Sequence, residues 1–136
     1  MKYAAFDIGD VWTGIALSDP LGILAKPYQT VKTTQLFSYL PAFLEEEKIE
    51  AVVIGYPKTM RGTESEQTKK ILEQTEKLKK EFPQMPWILW DERLSSKRAA
   101  SLKQARTKEE KQQSHAIAAA FILESYLNYC FFQKSI

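Results

Sequence analysis

The amino-acid sequence predicts an α/β fold, a mixed five-stranded sheet flanked by helices. Its first third holds three short strand-like segments separated by turn formers, the pattern of an antiparallel meander. The remainder alternates short apolar runs with longer segments of helical periodicity, which favours parallel strands joined by right-handed crossovers. The order β-β-β-α-β-α-β-α-α therefore predicts a three-stranded antiparallel meander extended by parallel strands.

The meander strands are separated by turn residues, and one strand contains a proline. Gly9 and Asp10 are turn formers that join the first two strands. Pro27 cannot donate a hydrogen bond to a sheet ladder, so the third strand is expected at an edge or interrupted. The predicted strands are residues 2–8 (KYAAFDI), 13–18 (TGIALS) and 22–32 (GILAKPYQTVK).

The remaining elements follow a change of periodicity after Thr34. Apolar residues recur at helical spacing from Leu36 to Leu44, and Pro41 within that pattern is expected to kink or split the helix. The apolar runs AVVIGYP and MPWILW are typical of strands buried on both faces, and the second run ends at Asp91. Further helices are predicted at residues 64–81, from about Ser95, and from about Ser114 to Phe132.

The composition is that of one soluble globular domain spanning residues 1–136. Apolar residues make up 44% and charged residues 26%, so a hydrophobic core can close without disulfides. The single cysteine, Cys130, lies in an apolar segment and is expected to pack in the core. With no membrane-length apolar stretch and no signal-type segment, the chain is expected to be cytoplasmic. The net charge of +2 neither requires nor excludes binding to nucleic acid.

Three acidic residues stand at the ends of predicted strands, Asp7 on the first strand and Asp91 with Glu92 on the last. Sites in open α/β sheets form outside the carboxyl ends of the strands. Carboxylates gathered there could hold a hard divalent cation such as Mg²⁺. The alternative is that each carboxylate caps a turn or a following helix.

Four segments, in order, resemble the motifs of the YqgF (RuvX) family, whose members are described as pre-16S rRNA nucleases and as Holliday junction resolvases. The segments are FDIGDVWTGIALSD, IGYPKTMRGT, WDERLSS and IAAAFILESYL, and the likeness spans nearly the whole chain. The resemblance implies a ribonuclease H-like fold and metal-assisted hydrolysis of phosphodiester bonds. It places the family's first-strand aspartate on Asp7 and its D-E-R-L motif on residues 91–94.

The chain departs from the family pattern at two places. Val11 and Trp12 stand where the family usually has a basic pair, and His115 stands where it usually has the third carboxylate. The catalytic and metal-binding set that the resemblance implies is then Asp7, Asp91, Glu92 and His115. Imidazole adds no negative charge and suits manganese better than magnesium, so the expected cofactor is Mg²⁺ or Mn²⁺. A packing or surface role for His115 stays open.

Basic and aromatic residues near the strand ends are candidates for binding nucleic acid. Arg93 can contact a phosphate through two donors, or it can pair with Asp91 or Glu92. Ser95 is expected at a helix N-terminus, which suits phosphate. Trp12 could stack on a base or pack internally. The candidate set is Trp12, Lys58, Arg61, Arg93, Ser95, Lys97 and Arg98.

Three functions stay open from the sequence. The resemblance implies a nuclease acting on structured RNA, in maturation of the 5′ end of pre-16S rRNA. A resolvase of branched DNA would use the same chemistry and would need a two-fold dimer, whereas an RNA-processing enzyme could act as a monomer. The third function is non-catalytic binding of nucleic acid, with the metal cluster lost through His115.

Overall fold

The computed structural model describes residues 2–56, 66–91 and 108–135, with side chains of the last segment described for residues 113–133. The strands are β1 (Lys2–Ile8), β2 (Trp12–Ser18), β3 (Ala25–Lys32), β4 (Ile49–Tyr56) and β5 (Trp87–Asp91). The helices are α1 (Leu36–Glu46), which follows a 3₁₀ turn at Thr33–Gln35, α2 (Glu66–Glu81) and α3 (Lys108–Ser135).

The strands form one five-stranded mixed sheet in the order β3-β2-β1-β4-β5. β2 is antiparallel to both β1 and β3, whereas β4 is parallel to both β1 and β5. The predicted fold class, an antiparallel meander extended by parallel strands, is therefore confirmed. β1 is the central strand of the sheet, so its carboxyl end lies in the middle of the row of strand ends on one side. This row of strand ends is called the carboxyl edge of the sheet.

Side chains of β1 alternate between two hydrophobic layers. Phe6 and Ile8 belong to the core that α1 and α2 cover, while Ala5 belongs to the core beneath α3. The first core contains side chains such as Leu36, Leu40, Phe43, Ile71 and Leu78, and the second contains Ala119, Ile122, Leu123 and Leu127. The sheet is thus covered by helices on both faces.

The strand with the proline lies at the edge of the sheet, as predicted. Among the described strands β3 pairs with β2 alone, and the register shifts where Pro27 and Gln29 face successive β2 residues. The β2–β3 loop is closed by Asp19, whose Oδ1 accepts hydrogen bonds from the backbone N–H groups of Leu24 and Ile23 at 2.8 and 2.7 Å. These two donors, Leu24 foremost, lower the pKa of the Asp19 carboxyl.

Two expectations about individual elements are wrong in part. β5 was expected to be buried on both faces. Its side chains pack against both cores, but only Trp87 is buried, and Ile88, Leu89 and Trp90 are half-exposed, because β4 is its one neighbour among the described strands. Of the kink or split expected at Pro41, the split does not occur, because α1 runs continuously through the proline, which lies on its exposed side.

The last helix starts earlier than its apolar pattern predicts. α3 begins at Lys108 rather than near Ser114 and continues to Ser135. The helix expected from about Ser95 lies outside the described residues. Cys130 is half-buried near the end of α3 and is a free thiol. Within the described ranges, no helix combines the length and the hydropathy required to cross a membrane.

Candidate active site

A buried carboxylate and the imidazole of the chain's single histidine meet at the carboxyl edge of the sheet. Asp7 lies one residue before the end of β1, and its side chain is fully buried. Nδ1 of His115, on α3, lies 2.9 Å from Oδ2 of Asp7. The fold therefore brings together two of the residues predicted to form the site, although 108 positions separate them in the sequence.

Gly14 explains how α3 places His115 over Asp7. Gly14 pairs directly with Asp7 in the β1–β2 ladder, so the two residues share a face of the sheet. A Cβ atom on Gly14 would overlap the backbone carbonyl of His115 and the amide nitrogen of Ala116. Because glycine has no side chain, the helix backbone rests directly on the strand at this point. The buried Ala118–Ala120 run extends this close packing along α3.

The β1–β2 turn borders the imidazole without covering it. Gly9 donates its backbone N–H to the carbonyl of Trp12 at 2.9 Å, which closes the turn tightly. A Cβ atom on Gly9 would lie 3.0 Å from Cε1 of His115. The His115 side chain nevertheless remains 21% exposed. Solvent or a substrate can therefore reach the ring, whereas the Asp7 side chain behind it is closed to solvent.

The contact with Asp7 determines which nitrogen of His115 can do chemistry. An ionised carboxylate only accepts hydrogen bonds, so the Nδ1 atom must carry the proton that it donates to Asp7. In neutral imidazole, Nε2 then keeps its lone pair. A carboxylate on the opposite nitrogen fixes the orientation of the ring. Nε2 can therefore bind a divalent cation or accept a proton from water.

Asp91 lies on the other side of the sheet from this pair. It ends β5, two strands away from β1, and pairs with Tyr56 of β4. Along β5, Trp87 and Leu89 belong to the α1–α2 core, while Ile88 and Trp90 belong to the α3 core. Strand alternation therefore puts Asp91 on the face opposite Asp7. Glu92, the other acidic candidate at this strand end, lies outside the described residues.

Among the predicted nucleic-acid contacts, Trp12 lies on the same face of the sheet as the Asp7–His115 pair. It is the first residue of β2, two positions before Gly14 and therefore on the same face of the sheet, and it is half-buried. The pairing in the ladder puts Lys32 directly beside it on β3. The other predicted contacts, Lys58, Arg61, Arg93, Ser95, Lys97 and Arg98, lie outside the described residues.

Two lysines near the site were not among the residues selected from sequence. Lys32 is exposed at the end of β3, and Lys70 on α2 lies 3.3 Å from Asp10 in the β1–β2 turn. The side chains of residues 30–32 alternate between the two faces of the sheet. With the β2–β3 pairing known, this alternation would have placed Lys32 on the same face as Trp12. Lys70 shows no local signal, because its contact with Asp10 depends on how α2 packs against the sheet.

The donors in the structure fit part of the metal site that the family implies. His115 offers Nε2, a nitrogen donor that fits Mn²⁺ better than Mg²⁺, while the Asp7 carboxylate is engaged with Nδ1 on the opposite side of the ring. In the parts of the chain that the structure describes, no cluster of three or more His, Cys, Asp or Glu residues could hold a metal ion.

The strand order and the helical layers on both faces define a ribonuclease H-like protein, with a carboxylate near the end of the central strand. The profile of the RuvX family, described as Holliday junction resolvase, matches residues 1–129. The chain therefore belongs to the RuvX family, a family of nucleases.

Curated relatives match along almost their entire length. A protein of Rubrobacter xylanophilus is 35% identical over 127 residues, covering 93% of this chain and 91% of the relative. One of Fusobacterium nucleatum is 36% identical over 133 residues, covering 93% of this chain and 96% of the relative. Both carry the name "Putative pre-16S rRNA nuclease". The family assignment from the profile and the similarity to these relatives agree.

Among solved structures, the chain is similar in fold to RuvC of T. thermophilus in complex with a Holliday junction substrate. The TM-score is 0.65 at 18% sequence identity, covering 97% of this chain and 96% of RuvC. Another structure of the same protein gives a TM-score of 0.55 at 16% identity, with 96% and 97% covered. At these identities the likeness establishes the ribonuclease H-like fold.

Proposed function

We propose that the protein is a metal-dependent endonuclease that cleaves structured RNA, with the 5′ end of pre-16S rRNA as its substrate. The observation that carries the proposal is the Asp7–His115 pair, which combines a fully buried carboxylate with a reachable imidazole at the carboxyl edge of the sheet. The names of the curated relatives support this choice of RNA. The proposal implies a cytoplasmic protein, because bacterial ribosomal RNA is processed there.

In this proposal Asp7 and His115 have different tasks. Asp7 holds the proton on Nδ1 and fixes the ring, and Nε2 of His115 faces the substrate as a metal ligand or as the base that accepts a proton from the attacking water. A bound divalent cation, Mn²⁺ or Mg²⁺, would supply the Lewis acid that activates water and stabilises the leaving oxygen. The burial of Asp7 keeps solvent from competing for its oxygens.

We assign the second acidic ligand to Glu92 rather than Asp91. Asp91 follows the alternation of Trp87 and Leu89 and therefore faces away from Asp7. Glu92, which the family motif selects beside it, is therefore the acidic ligand that we propose. Arg93, which follows directly, is then suited to contact the substrate phosphate.

A Holliday junction resolvase is the second candidate, because the matching family profile carries that description. Both functions use the same hydrolysis of a phosphodiester bond. They differ in the substrate and in the symmetry of the protein assembly that the substrate requires. A four-way junction has two equivalent strands to cut, which calls for a two-fold dimer, whereas an RNA hairpin can be cut by a monomer. Substrate preference and oligomeric state together separate them.

The proposal is tested by comparing cleavage of a labelled RNA hairpin and of a labelled four-way DNA junction. We expect the wild-type protein to cut the RNA with Mn²⁺ or Mg²⁺ and to be inactive in EDTA. Glu92→Gln should lower the rate by about 10²-fold or more, since it removes a ligand charge. Asp91→Asn is the matched control and should keep most of the activity.

The same experiment contains the results that would reject the proposal. Cutting of the junction without cutting of the RNA would identify a resolvase. Binding of both substrates without cutting either, under both metals, would identify a non-catalytic binding protein. Loss of activity in Asp91→Asn with full activity in Glu92→Gln would reverse the assignment of the second acidic ligand.

A further inference from the structure

Lys32 lies on the face of the sheet that carries the proposed site. The β2–β3 ladder pairs Lys32 with Trp12 and Thr30 with Gly14. Directly paired residues share a face of an antiparallel sheet, and Gly14 is packed against His115. Lys32 is exposed at the carboxyl end of β3, so its ammonium group can extend into the solvent beside the imidazole.

The charge of Lys32 is not neutralised within the described structure. Three other lysines are held in ion pairs, namely Lys2 with Glu47, Lys70 with Asp10 and Lys79 with Glu76. Among the described residues, Lys32 makes no ion pair of this kind. An exposed, unpaired cation is available to a phosphate, and counterion release from the nucleic acid rewards such a contact.

A groove of about 570 Å³ runs between β3 and the part of α3 that carries His115. Gln113 and Ala116, on either side of His115 in the sequence, line its helical side, and Thr30 lies on the strand side, two residues from Lys32. None of the described residues that line the groove is charged, so no carboxylate there would repel a phosphate. The volume falls within the range of about 300 to 1,000 Å³ that is typical of small-molecule sites, which suits a nucleotide rather than a duplex.

We propose that this groove binds an unpaired strand of the nucleic-acid substrate next to the cleavage site, with Lys32 contacting its phosphate backbone. The proposal rests on the function proposed above, because it takes the Asp7–His115 pair as the place of cleavage. Ile117 and Pro27 offer apolar surface to a sugar or a base, and Gln113 offers a side-chain amide. Such contacts depend on the backbone and shape of the nucleic-acid strand, so they are compatible with any base sequence.

The test measures the affinity of the full-length protein for a labelled RNA hairpin, with and without a short unpaired tail, in EDTA so that nothing is cut. Lys32→Gln should weaken binding of the tailed hairpin about fivefold at 0.1 M salt and lower the slope of log K against log salt by about 0.7, the values for one single-strand phosphate contact. Lys26→Gln is the matched control. Lys26 is exposed on the same strand but pairs with Leu17, which faces the α1–α2 core, and its loss should change neither quantity.

Comparing the tailed and tailless hairpins localises the contact. Removal of the tail should weaken binding by the wild-type protein and have little effect on Lys32→Gln, since the two changes remove the same interaction. The proposal would be overturned if Lys32→Gln and Lys26→Gln weakened binding equally, or if removal of the tail weakened binding equally in the wild-type protein and in Lys32→Gln. The proposed function would still stand in either case, provided that the wild-type protein cleaves the RNA. A wild-type protein that neither binds nor cuts the hairpin would overturn both.

Discussion

Replacement of Asp7 by asparagine should lower the rate of RNA cleavage by about 10³-fold or more, by analogy with other carboxylates that hold a catalytic imidazole. Asparagine keeps the shape of the side chain but removes the negative charge that fixes the proton on Nδ1 of His115 and would attract a cation. Because Asp7 is fully buried, water cannot replace the lost oxygen. The single-turnover rate at saturating enzyme measures this effect.

Asp10→Asn is the matched control for that experiment. Asp10 is an acidic residue of the same hairpin, but its side chain is 64% exposed and pairs with Lys70. Exposed ion pairs contribute little, so the cleavage rate should stay within about twofold of wild type. Circular dichroism should show that both variants are folded. Similar rates for Asp7→Asn and wild type would contradict a catalytic role for the buried carboxylate.

Gly14→Ala should destabilise the fold strongly, although it adds only one methyl group. The new Cβ would overlap backbone atoms of His115 and Ala116, and backbone atoms cannot rotate away as a side chain can. Overpacking of this kind costs about 3 kcal/mol, which corresponds to a fall in Tm of about 10 °C for a domain of this size. Cleavage should also be lost, because any relief of the overlap moves His115 away from Asp7.

Gly22→Ala provides the comparison for this substitution. Gly22 lies in the β2–β3 loop with a positive φ of 70°, and a Cβ there would approach the flexible ring of Tyr3 rather than backbone. The expected cost is about 1 kcal/mol from the backbone conformation alone, with cleavage unchanged. Thermal unfolding of both variants tests the difference. Equal Tm values and wild-type cleavage for Gly14→Ala would contradict the close contact between α3 and β2.

The fold could be predicted because each pattern in the sequence depends on local burial. The strand of residues 49–56 alternates little because both of its faces are covered, and α2 shows a clear apolar stripe because only one of its faces is covered. β5 was misjudged because a short apolar run does not reveal how many neighbouring strands it has. The helix is not split at Pro41 because a helix packed against a core tolerates a proline on its solvent side.

Only part of the site could be predicted, because its two residues give different kinds of signal in the sequence. Asp7 stands out locally as a carboxylate inside an apolar strand, and His115 was selected through its position in a family motif. Their contact could not be derived from sequence, because it depends on where α3 crosses β2. The one local sign of that crossing is Gly14, a glycine in the interior of a strand, which often marks a close backbone approach.

The central claim is that His115 performs the chemistry with Asp7 behind it, and the cleavage rate of His115→Ala tests it most directly. With Mn²⁺ and a labelled RNA hairpin, we expect His115→Ala to be at least about 10²-fold slower than wild type, since it lacks the base or ligand that Nε2 provides. His115→Asp should recover part of the activity, because a carboxylate can also bind the metal. Wild-type cleavage by His115→Ala, or cutting that begins only in His115→Asp, would contradict the claim.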